Sequence, residues 1–208
     1  MKRINRQQNF RAPILIVCEG YLEYYYFQRL YKLYRDHGGA NDFKFTIICA
    51  DGGSPLRVVE RASVERPGAY RERWCVIDVE YPESERLSQA IALAESRRIN
   101  IALTNPSFDA FALAHLRRLT SNDGPGVRDF KIALACEMKR EFSTSGGMDF
   151  IADILGSDCC NLPRAADNMS SCNGISDVRR QIRSTNVHLL VRLLFPPQPS
   201  PPAGMVSD

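Results

Sequence analysis

Short, unbroken apolar runs alternate with longer stretches of helical periodicity along the first half of the chain. Ile14 to Cys18 is a continuous apolar run rich in β-branched residues, which marks a strand covered on both faces. It leads through Glu19-Gly20 into a stretch where Leu22, Tyr26, Leu30 and Leu33 recur at helical spacing. Phe45 to Cys49 predicts a second strand ending at Asp51-Gly52-Gly53-Ser54, with Ser54 as cap and Pro55 in the first turn of a second helix. Trp74 to Ile77 predicts a third strand running into Asp78-Val79-Glu80. Ser84 to Arg98 predicts an amphipathic helix with Leu87, Ile91 and Ala94 on one face. Ile99 to Leu103 predicts the fourth strand. Thr104-Asn105-Pro106 then reads as the cap and first-turn proline of a helix that places Phe108, Phe111, Ala112 and His115 on one stripe.

Strands alternating with helices at this rhythm predict an α/β fold, a mostly parallel sheet with helices on both faces. Right-handed crossovers then bring every strand-to-helix loop to one edge. Beyond Leu119 the pattern weakens. Asn122 to Gly126 reads as a loop, and Asp129 to Phe142, Met148 to Leu155 and Ile175 to Arg183 read as helices. The expected organisation is a basic arm over 1–12, an α/β domain over 13–118, a small mainly helical C-terminal extension over 119–195, and a disordered Pro-rich tail over 196–208.

With 44% apolar residues the 208-residue chain can build a substantial core. No apolar run approaches the ~20 residues of a membrane span, and the polar N-terminus carries no signal-peptide core. A cytoplasmic protein with no membrane partner is expected. The seven cysteines form no C-x-x-C pair, and Cys18, Cys49 and Cys75 lie in or beside strands as small hydrophobes, which fits a reduced compartment. The net charge of +3 is modest, but Lys2, Arg3, Arg6 and Arg11 fall in the first 13 residues without an acid. Only five of the 27 basic residues are Lys, and the guanidinium fork suits phosphate. Arg3, Arg6 and Arg11 are therefore candidate nucleic-acid contacts, although a solvated terminus and a GC-rich genome produce the same bias.

The acids carry the chemistry. Ligands of an open α/β sheet gather at the carboxyl ends of its strands. Glu19 ends the first strand, Asp51 the second, Asp78 and Glu80 the third, and Asp109 lies one turn into the helix after the fourth. Carboxylates held together repel one another, and a hard divalent ion, Mg²⁺ or Mn²⁺, relieves that repulsion. In Asp78-Val79-Glu80 an extended backbone points both acids to one side. Each acid also has a plainer reading: a helix cap, a favourable partner of a helix dipole at Asp109, or turn chemistry at Asp51.

Ile16-Val17-Cys18-Glu19-Gly20 with Glu23 and Tyr26-Phe27 beyond, the strand ending in Asp78-x-Glu80, and Asn105-Pro106-Ser107-Phe108-Asp109 through His115 together resemble the RloB family, small Toprim-domain proteins of bacterial restriction and phage-defence loci. Ser184-Thr185-Asn186-Val187-His188 and the apolar run after it are similar to the family's C-terminal end. The resemblance spans roughly residues 11 to 118, and 180 to 194 more thinly. It implies a Toprim-like fold and a metal-dependent nuclease. Glu19 would transfer protons or bind metal, Asp78 and Glu80 would form the metal-binding acid pair, and Asp109 would join the same cation shell. The implied partners are DNA or RNA, tRNA included, a defence-system partner protein, and a second copy of the chain in a homo-oligomer.

Two departures stand out. The family usually has Asp where Glu80 stands and Glu where Asp109 stands, so one acid is lengthened and the other shortened. Tyr21-Leu22 also replaces an expected polar pair. These changes keep open a catalytically weakened Toprim-like binding or sensor subunit. A receiver-like phosphoacceptor domain is a further alternative, since it too places acids after strands one and three and a Thr after strand four, as Glu19, Asp78 and Thr104 do. Tyr24, Tyr25, Tyr26, Tyr31 and Tyr34 of the first helix read better as packing than as base-stacking groups, and His115 and His188 read as core histidines.

Overall fold

The structure is a computed structural model that describes residues 13–36, 44–156, 165 and 167–194. Its sheet contains β1 (Ile14–Cys18), β2 (Phe45–Cys49), β3 (Glu72–Asp78), β4 (Asn100–Asn105), β5 (Ser170–Ser171) and β6 (Ser184–Thr185) in the order β2-β1-β3-β4-β6-β5. The first four pair in parallel, β6 runs antiparallel to β4, and β5 is parallel to β6. Among the described residues the helices are α1 (Tyr21–Asp36), α2 (Pro55–Val64), α3 (Glu85–Arg97), α4 (Phe108–Leu116), α5 (Val127–Met138), α6 (Gly147–Leu155), α7 (Ile175–Arg180) and α8 (Val187–Leu194). The expected four βα units and mostly parallel sheet are present. The arm over 1–12, with Arg3, Arg6 and Arg11, and the tail over 196–208 lie outside the described residues.

Strand periodicity divides the interior into two cores. Ile14, Ile16, Cys18, Trp74, Val76 and Ala102 face α1, α4, α5, α6 and α8, whereas Leu15, Val17, Cys75, Ile77, Ile101 and Leu103 face α2, α3 and α7. The unbroken apolar run of β1 is thus required by cover on both faces, and all five of its residues are fully buried. The chain moves one way from β1 to β2 and the other way from β2 across β1 to β3 and β4. Right-handed crossovers therefore put α1 on one face and α2 and α3 on the other, which opens a switch point between the carboxyl ends of β1 and β3.

The tyrosines of α1 pack as anticipated. Tyr26 is fully buried against Phe27, Phe108, Phe111 and His115, with ring centroids 5.2 to 5.6 Å away, and its hydroxyl lies 3.2 Å from His115 Nε2. Tyr31 meets Phe45 edge-on, and Tyr24 and Tyr25 pack at the core margin. His188 is buried too, with Nε2 3.4 Å from Asn173 Oδ1.

α5 runs from Val127 to Met138, short of the expected Phe142, and α7 stops at Arg180, short of Arg183. A third boundary differs with more consequence. Thr104 and Asn105 do not cap α4; they extend β4, the Asn105–Pro106 peptide is cis, and Ser107 is the N-cap. The reason lies some 80 residues downstream, where β6 pairs Thr104 with Thr185 and Asn105 with Ser184. Asn105 Nδ2 also donates to the carbonyls of Val178 (2.8 Å) and Arg179 (3.1 Å). The Ser184-Thr185-Asn186 segment acts as a clamp. Asn186 Oδ1 accepts the Leu103 N–H, Asn186 Nδ2 donates to the Ile101 carbonyl at 3.0 Å, and Thr185 Oγ1 accepts the Val187 N–H at 3.0 Å at the start of α8. Backbone groups of β4 that lack a strand neighbour there are satisfied by side chains instead.

Candidate functional site

Glu19 follows β1 directly, its N–H donating to the Val76 carbonyl at 3.1 Å, so the ladder with β3 carries the acid to the carboxyl edge. There Glu19 Oε2 accepts the Asp78 N–H at 3.0 Å, and Asp78 Oδ1 accepts the Phe108 N–H of α4 at 2.8 Å. The first bond ties the carboxyl end of β1 to that of β3, and the second ties the end of β3 to the start of α4. Glu19 Oε1 and Asp78 Oδ2 have no hydrogen-bond donor among the described residues. Asp109, in the first turn of α4, has Ser107 Oγ 3.5 Å from its Oδ2.

A fourth acid joins them that the periodicity did not single out as a site residue. Glu23 lies in the first turn of α1, 4% exposed, held by the backbone amides of Gly20 and of Glu23 itself. Its sequence signal is position: with Tyr26, Phe27 and Leu30 it occupies the buried stripe of the helix, where a carboxylate is out of place unless it has work to do.

Burial dominates the electrostatics. It pushes Glu23 up to about 8, with the charges of Glu19 and Asp109 adding to the rise, and Glu19 up to about 7, with Glu80 adding. Asp78 rises well above the usual carboxylate range through burial and the charges of Glu23, Glu19 and Asp109, the Phe108 N–H opposing. Asp109 rises through burial, partly offset by Lys131. The sequence-predicted acids Glu19, Asp78 and Asp109 therefore feel one another through Asp78 and Glu23.

Glu80 stands on the other side of the site. β3 ends at Asp78, and the Val79 N–H still donates to the Thr104 carbonyl at 2.8 Å, so Val79 is buried while Asp78 and Glu80 both face a cleft of about 520 Å³. The cleft also presents Glu19, Ser54, Arg57, Tyr81, Ser84 and Arg86. It lies between the starts of α2 and α3, whose N-caps Ser54 and Ser84 make no side-chain capping bond. Asp109 is not among its lining residues. Asp51 does not join the rim: β2 is the edge strand, Asp51 takes the left-handed conformation (φ 59°) ahead of Gly52 and Gly53 (φ 76° and 122°), and its exposed carboxylate bonds the Tyr21 side chain. Those positive φ angles are what turn the chain sharply back toward α2.

No group of three or more His, Cys, Asp or Glu side chains stands at metal-ligand spacing among the described residues. The donor chemistry nonetheless fits a hard divalent cation. All candidates are carboxylate oxygens, two of those oxygens lack a donor among the described residues, and their ionisation is opposed by burial and mutual repulsion that a cation would offset. No helix of the described residues is long and apolar enough to cross a membrane.

The family model described as RloB-like protein matches residues 14–194, most of the chain. Comparison with curated proteins and with solved structures returns no match.

Proposed function

We propose that this chain, which belongs to the RloB-like protein family, is a Toprim-type nuclease that uses Mg²⁺ or Mn²⁺ to cleave nucleic-acid phosphodiesters. The observation that carries the reading is the meeting of Glu19, Glu23, Asp78 and Asp109 at the carboxyl edge of the parallel strands, where each is held above its ordinary pKa. Such a cluster is costly to a fold without a cation and useful to one that binds it.

Glu19, Asp78 and Glu80 would hold the cation at the cleft, and Asp109 and Glu23 would supply negative charge behind them. The cation supplies Lewis-acid stabilisation of a phosphate oxygen and a more acidic water. Glu19, on the cleft wall, serves either as base toward the attacking water or as acid toward the leaving oxygen. The fixed Asp78 N–H orients Glu19, and the Phe108 N–H orients Asp78. The phage-defence setting follows from the family resemblance. Thr104, which a receiver-like reading would place free at the rim, is fully buried and lies 3.4 Å from Thr185 Oγ1 through its own Oγ1, so the geometry favours the nuclease.

The test is cleavage of mixed tRNA, single-stranded DNA and duplex DNA with Mg²⁺, Mn²⁺ or EDTA, beside Glu19→Ala and Asp78→Ala. Metal-dependent cleavage lost in both variants is expected. No cleavage, or cleavage indifferent to both acids, would leave a binding or sensor subunit as the better account.

A further inference from the structure

Tyr81 is the most exposed large hydrophobic side chain among the described residues, at 72%, yet the turn that carries it is tied down from two directions. The Ser84 N–H donates to the Tyr81 carbonyl at 2.9 Å. From α7, Arg179 donates to the Pro82 carbonyl through Nε at 3.1 Å and through Nη2, and Nη2 also reaches Ser88 Oγ at 3.3 Å. Arg179 is itself positioned, because Asn105 of β4 holds the α7 carbonyls of Val178 and Arg179. A chain of bonds thus runs from the central sheet to a phenol left facing solvent.

Tyr81 shares its cleft with carboxylates on one hand and guanidinium groups on the other. Glu19, Asp78 and Glu80 line it together with Arg57 and Arg86, and neither arginine forms an ion pair among the described residues. The volume of about 520 Å³ falls in the ~300–1,000 Å³ range of sites that enclose a small molecule, the scale of a nucleotide unit and not of a duplex. A base within a duplex has both faces covered by its neighbours, whereas a single strand offers a free face to an aromatic ring.

We propose that this cleft binds single-stranded nucleic acid, with a base stacked on Tyr81 and flanking phosphates held by Arg57 and Arg86, Arg179 being the positioning residue for the Tyr81 turn. The proposal rests on the nuclease reading for its choice of ligand, but its test is binding and not cleavage.

Anisotropy of fluorescein-labelled oligo(dT), oligo(U) and a duplex of equal length would be measured on the full chain in Ca²⁺ and in EDTA. Stacking on one aromatic predicts that Tyr81→Ala weakens single-strand binding roughly 10-fold while Tyr81→Phe stays within about twofold. Arg57→Gln and Arg86→Gln should each flatten the dependence of log affinity on log salt by about 0.7. Arg179→Ala should weaken binding in the parent and add nothing in the Tyr81→Ala background. Unchanged Trp74 fluorescence certifies folding of each variant. Wild-type affinity in Tyr81→Ala, preference for the duplex, or no binding of any oligonucleotide by the parent would overturn the proposal. Metal-dependent cleavage with Tyr81-indifferent binding would sink this proposal and spare the nuclease reading. Tyr81-dependent binding without cleavage would do the reverse.

Discussion

Replacing Glu23 by glutamine removes a charge from the most deeply buried acid of the rim while keeping its shape. Burial and the charges of Glu19 and Asp109 lift Glu23 from 4.5 to about 8. A carboxyl that holds its proton more tightly in the folded chain contributes most stability below about pH 4.5, and that contribution is lost as pH rises to about 8. At roughly 1.4 kcal/mol per pH unit, the gap sets a ceiling of roughly 5 kcal/mol. Glutamine escapes this loss but is a weaker acceptor for the amides of Gly20 and residue 23, a cost of about 1 kcal/mol. The expected result in EDTA is a gain of roughly 2–4 kcal/mol for Glu23→Gln at about pH 8.5 and little or no gain at about pH 5. Urea unfolding followed by Trp74, the single tryptophan and 9% exposed, measures both. A gain independent of pH, or a net loss at the higher pH, would refute the electrostatic account of the rim.

Three further outcomes are expected. Because Glu19, lifted to about 7, must release its proton to bind a cation, calorimetric Mg²⁺ affinity should climb between about pH 6 and 8 with measurable proton release, and a flat profile would contradict the assignment. Asn186→Ala should destabilise by roughly 2–4 kcal/mol in denaturant titration, since it strands the Leu103 N–H and the Ile101 carbonyl inside the protein; a change under 1 kcal/mol would show that the clamp is dispensable. Glu80→Asp and Asp109→Glu test whether the lengthened and shortened acids compensate one another: Glu80 faces the cleft and acts on Glu19, while Asp109 acts on Glu23 and Asp78, so metal affinity of the double swap should equal the product of the two single effects unless both share one cation shell.

The amino-acid order by itself determined the four βα units, because apolar runs and helical periodicity report local burial, and it placed Glu19, Asp78 with Glu80, and Asp109 after the first, third and fourth strands. Right-handed crossovers then brought their loops to one edge without any knowledge of the sheet. Which acids meet was decided by strand order, a non-local property. β1 lies beside β3, so Glu19 meets Asp78, and β2 is an edge, so Asp51 is left out. Glu23 was legible only as a carboxylate on an apolar stripe; its closeness to Asp78 required α1 to be docked on the sheet. The end of β4 was misread because its partner, β6, lies some 80 residues away, and local cap chemistry yields to strand pairing once that partner is present. The Tyr81 turn has the same origin: nothing near Tyr81 in the chain foretells Arg179, which reaches it only because the folded sheet brings α7 alongside. Local pattern sets the elements; contacts closed across long stretches of chain set the site.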